Sequence, residues 1–115
     1  MENRKRNYDR KKCYAKILFK DDNTVGYLRD ISPKGCRIDV PTEITLRAGE
    51  KKAIIIIPEE ELNIPPIHGT VEVRWSDKKE LFWVIGSFLK SVRDREALKN
   101  YQLLLEYYKN MEQSE

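Results

Sequence analysis

At 115 residues, with 40% hydrophobic and 10% aromatic content, the chain is long enough for one compact core and short for two. A charged fraction of 36% and a mean hydropathy of -0.68 are high for a small domain, yet Val, Ile, Leu, Phe, Tyr and Trp recur in blocks, which excludes disorder outside the two ends. The net charge of +3 is unevenly placed: the first twelve residues hold six basic side chains against Glu2 and Asp9, and a basic arm on a near-neutral body favours a small or narrow anionic partner over extended nucleic acid.

Residues 1–12 read as that arm and contain Arg6-Asn7-Tyr8-Asp9-Arg10. Lys11 and Lys12 are followed by Cys13, Tyr14 and Ala15 and not by a leucine-rich segment with a cleavage site, so no secretory signal is expected. The longest apolar run, Ala53 to Ile57, is far short of the roughly 20 residues that cross a bilayer. A cytoplasmic location without a membrane span is therefore expected.

The body, residues 13–90, reads as short strands. Cys13 to Phe19 nearly alternates, Asp21 to Thr24 is a turn, and Gly26 to Ile31 is a second strand closed by Ser32-Pro33-Lys34-Gly35. Cys36 to Val40 alternates Cys36, Ile38 and Val40 with Arg37 and Asp39 until Pro41 breaks it. Arg47 to Lys51 is a polar loop, and Lys52 to Ile57 is a β-branched buried strand ended by Pro58. Ile67 to Trp75 sets Val71 and Val73 against Glu72 and Arg74, Asp77 to Lys79 is a turn, and Leu81 to Leu89 is the last strand. Trp75 and Trp83 read as core or rim residues and His68 as a strand residue, with no nucleophile or carboxylate spaced to serve it.

The period then changes. Leu98, Tyr101, Leu105 and Tyr108 fall on one face of a helix over residues 91–111, with Ser91-Val92-Arg93-Asp94 spaced as a capping box and residues 112–115 as a tail. Nothing between the strands is long enough for helical crossovers, so a mainly β, antiparallel barrel or sandwich with one C-terminal helix is expected. Cys13 and Cys36 read as reduced core thiols, and two Cys with one His cannot supply the four ligands of zinc. No metal, cofactor or catalytic grouping is expected, and hence no enzyme.

Two patterns carry functional information: Arg6-x-x-x-Arg10 ahead of the first strand, and Asp30-Ile31-Ser32-Pro33-Lys34-Gly35, an Asp-x-Ser-x-x-Gly, on the turn between strands two and three. With nine arginines in the chain and a turn-like composition in the second motif, each alone is weak. In this order and setting they resemble the PilZ family, over about Asn3 to Leu89. Gly69-Thr-Val-Glu-Val-Arg-Trp and Trp83-Val-Ile-Gly-Ser-Phe-Leu are similar to that family's last two strands.

The resemblance implies a six-stranded antiparallel barrel and the ligand cyclic di-GMP. It implies that the position of Lys5 bears on whether one or two ligand molecules bind. The residue chemistry agrees. A guanidinium matches the N7 and O6 edge of guanine or a phosphodiester, which suits Arg6 and Arg10. A carboxylate offers only acceptors and suits the N1–H and N2 edge, which is the role expected of Asp30. Ser32 can donate or accept at short range, and Gly35 is expected to supply a positive φ and room beside the ligand.

The expected molecule is a receptor or adaptor, monomeric or dimeric, in which ligand orders the arm and changes the surface offered to an effector protein. A PilZ-like interaction module without nucleotide affinity, or a small barrel binding nucleic acid, are the alternatives.

Overall fold

The computed structural model describes residues 15–113. Six strands form a closed antiparallel barrel: β1 (Lys16–Phe19), β2 (Thr24–Ile31), β3 (Gly35–Val40), β4 (Lys51–Ile57), β5 (Ile67–Lys78) and β6 (Trp83–Val92). Around the barrel they run β1, β2, β3, β6, β5, β4. Alternation accounts for the interior, since Ile17, Phe19, Leu28, Ile38, Ile54, Ile56, Val71, Val73 and Ile85 are all buried. Asn23 closes the β1–β2 turn at φ 61°, a conformation that asparagine tolerates.

The last hairpin is longer than its sequence suggests. Asp77 and Lys78 continue β5 by pairing with Val84 and Trp83, so the expected turn at Asp77 moves out to residues 79–82, where Lys79 N–H donates to the Phe82 carbonyl at 2.8 Å. Leu81 at its tip is exposed.

Helix α1 (Arg95–Gln113) follows β6. It does not begin at Ser91. Ser91 and Val92 pair with Thr70 and Gly69, and their backbone groups serve the sheet. Asp94 caps the helix by accepting the Ala97 N–H at 2.9 Å. The helix packs on β5 and β6 through Ala97, Asn100, Tyr101 and Leu104, while Leu98, expected on the packing face, is exposed. Ala97, Tyr101 and Leu104 join the core that fills the barrel. Among the described residues no helix is long and apolar enough to cross a membrane.

Candidate functional site

The β2–β3 connection is tight. Ser32 N–H donates to the Gly35 carbonyl at 2.8 Å and Gly35 N–H to the Ser32 carbonyl at 3.3 Å. The Ser32 hydroxyl oxygen also accepts from the backbone N–H groups of Lys34 (3.2 Å) and Gly35 (3.3 Å). Ser32 thus builds the turn with the side chain that the sequence assigned to ligand. The Lys34 carbonyl accepts from Leu89 N–H at 2.7 Å, which ties the turn to β6.

Gly35 requires a correction. Its φ is not positive, the only such glycine among the described residues being Gly49. The room it leaves is occupied by protein: an added Cβ would stand 2.0 Å from the Ser87 carbonyl oxygen. Gly35 is the first residue of β3, opposite Phe88, and lets β6 come close.

Beside the turn lies an open cleft of about 490 Å³, lined among others by Asp30, Ser32, Arg37, Arg74, Trp75 and Phe88. Two β-bulges aim its side chains. In β2 the register steps from Leu28 opposite Ile38 to Asp30 opposite Arg37, leaving Arg29 as the extra residue. Strict alternation from buried Leu28 would turn Asp30 inward, and the bulge turns it out. The Arg29 guanidinium donates to the buried Asp39 carboxylate at 2.7 Å, an anchor on β3 for the irregular segment. In β5 the register steps from Val73 opposite Ser87 to Trp75 opposite Gly86, and the extra Arg74 likewise sends Trp75 to the outside.

The cleft has an apolar wall and charged groups above it. The Trp75 indole lies against Gly86, where an added Cβ would come within 2.3 Å of the ring. Arg74 stacks over Phe88, with its Cζ 4.1 Å from the ring centroid. An Arg37 Nη lies 3.9 Å from the Asp30 carboxylate across the strand pair, while the Arg37 Nε is buried without a hydrogen-bond partner. At 3.9 Å, with both side chains well exposed, that ion pair is loose enough for a ligand to exchange it. A flat anionic molecule with donors on one edge fits this set: rings for its face, a carboxylate for its donors, guanidinium groups for its charge.

Beneath the cleft, Cys36 is a buried free thiol, 3.5 Å from the Ser87 hydroxyl, and burial pushes its pKa up to about 11. It is protonated and inert at neutral pH. On the helix side, the Tyr101 hydroxyl donates to the Ser32 carbonyl at 2.8 Å and lies 3.4 Å from that of Gly35. Burial, and then the neighbouring Cys36, raise the pKa of this phenol.

Of the residues named from sequence, Asp30, Ser32 and Gly35 come together at this cleft. Lys5, Arg6, Arg10 and Cys13 lie outside the described residues. Arg37, Arg74, Trp75 and Phe88 were missed as site residues, because nothing in the hydrophobic pattern marks the bulges that gather them.

A sequence model described as "PilZ domain" matches residues 4–104. No curated protein matches the chain. Among solved structures, the chain is similar to the Bacillus subtilis inhibitor of motility, MotI/DgrA, with a TM-score of 0.67 at 18% identity over 84% of its own length. It spans 47% of that protein's length.

Proposed function

Because the chain belongs to the PilZ domain family, we propose that it is a receptor for cyclic di-GMP that passes ligand occupancy to a partner protein. The observation that carries this reading is the convergence, at one cleft beside the Asp-x-Ser-x-x-Gly turn, of the Asp30 carboxylate, the Arg37 and Arg74 guanidinium groups and the Trp75 indole. In this role Asp30 accepts from guanine N1–H and N2, Trp75 and the Arg74–Phe88 stack hold the base faces, and Arg37 joins Arg6 and Arg10, which serve the guanine N7 and O6 edge and the phosphates. Ser32 and Gly35 act by shaping the turn. Ligand then orders residues 1–12, whose surplus of four positive charges is drawn to the diester, and the ordered arm changes the surface presented to the effector. No bond is made or broken in this scheme. Differential affinity for two conformations is sufficient.

Calorimetry with cyclic di-GMP and cyclic di-AMP at equal ionic strength tests the reading. The guanine ligand should bind roughly 5- to 150-fold more tightly, because an adenine N1 lone pair facing Asp30 costs about 1–3 kcal/mol. Arg6→Ala and Arg10→Ala should each weaken binding about tenfold or more at nearly unchanged thermal stability, and Asp30→Ala should narrow the gap between the two ligands. A wild-type protein that binds neither ligand refutes the receptor and leaves an interaction module of the same fold.

A further inference from the structure

Helix α1 reaches the turn beside the cleft through the Tyr101 hydroxyl. Tyr101 lies on the packing face of α1 with 2% of its surface exposed, and its ring belongs to the barrel core. Phenylalanine or leucine would satisfy that packing. The hydroxyl is additional, and a buried hydroxyl is costly unless bonded. Here it meets the Ser32 carbonyl at 2.8 Å and the Gly35 carbonyl at 3.4 Å, residues 69 and 66 positions away in the chain. These two carbonyls also hold the turn's own reciprocal bonds, of which the Gly35 N–H to Ser32 bond is long at 3.3 Å. The turn is therefore braced from two sides, by β6 at Lys34 and by the helix at Ser32 and Gly35. Asp30 lies two residues before the braced position.

We propose that Tyr101 is a positioning residue of the cleft, whose hydroxyl fixes the Asp-x-Ser-x-x-Gly turn against α1 and so presets Asp30 for ligand. The proposal rests on the cyclic di-GMP reading for the identity of that ligand. Tyr101 is not among the residues that line the cleft. Its effect passes through the Ser32 carbonyl. A turn held in its bound geometry spares the ligand the entropy of ordering it, and a turn released on the helix side does not. The coupling runs both ways: ligand that tightens the turn also tightens the hold on α1.

The test is Tyr101→Phe, which keeps the ring and removes the hydroxyl. Amide exchange is followed residue by residue in the full chain, and cyclic di-GMP affinity is measured for wild type, Tyr101→Phe, Asp30→Ala and the double variant. We expect exchange at Ser32 and Gly35 to accelerate about fivefold while Ile54 and Ile56 in β4 keep their rates, and affinity to fall about fivefold. In the Asp30→Ala background the affinity loss should shrink, because both changes act through one turn. Unchanged exchange at Ser32 and Gly35 overturns the proposal. So does equal acceleration throughout the barrel, which would make the hydroxyl a support of global stability, and so does an unchanged affinity in a protein that binds. If wild-type protein does not bind cyclic di-GMP, the ligand reading falls by itself, and the exchange rates decide whether Tyr101 positions the turn.

Discussion

A Cβ at position 35 would stand 2.0 Å from the Ser87 carbonyl oxygen and 2.9 Å from the Phe88 Cα, both backbone atoms of the neighbouring strand. Neither can swing aside as a side chain does. Gly35→Ala should push β3 from β6 and destabilise the protein by about 3 kcal/mol, lowering the thermal midpoint. A midpoint equal to that of the wild type would mean that the strands separate freely at this point. Gly86 is also crowded, but there the neighbour is the Trp75 indole on the cleft wall, so a side chain at 86 would displace a ring and not a strand. The two glycines protect different things, one the barrel and the other the shape of the cleft.

Helix α1 starts where the β5–β6 ladder ends, and Asp94 marks the boundary by accepting the Ala97 N–H at 2.9 Å. Asp94→Ala should cost about 1 kcal/mol in urea denaturation, with Ser91→Ala costing less because Ser91 belongs to β6 and caps nothing. The reverse order would restore Ser91 as the cap. The strands were legible because their inward positions repeat every second residue, and the turn between β2 and β3 was legible from Ser, Pro and Gly in sequence. The bulges were not. Each inserts one residue, Arg29 or Arg74, that alternation counts as an ordinary outward position, so Asp30 and Trp75 acquire the wrong face from any period-two reading. Asp30 is singled out in spite of this by its motif, and it lines the cleft. Trp75, outside the motifs, was placed in the core or at the rim. The helix start failed for a related reason: the spacing from Ser91 to Asp94 suits a capping box, but whether a backbone is already engaged by a neighbouring strand is a non-local fact.

At the scale of the whole molecule, burial keeps protons on acidic groups at the junction of barrel and helix. The Cys36 thiol moves from an ordinary 9.0 to about 11, and the Tyr101 phenol also moves up, each chiefly by desolvation. A group whose folded pKa is raised stabilises fully below its unfolded value and ceases to do so as pH rises through the folded one. The contribution of Cys36 should therefore be constant up to about pH 9 and be lost between about pH 9 and 11, amounting to about 3 kcal/mol or less. Lys52, whose pKa rises through its hydrogen bond to Asp21, works in the same direction at the surface. Urea midpoints at pH 8 and pH 10.5 check this, and Cys36→Ala should lose less across the interval; equal midpoints in the wild type would contradict it. The closure of the barrel has its own consequence. Each of the six strands has a neighbour on both sides, which leaves the described residues without a full-length edge strand on which a partner's extended peptide could be added as a seventh. A partner of the kind proposed above would then have to read side chains, and the same closure denies other copies of the chain a full-length template for growing a sheet.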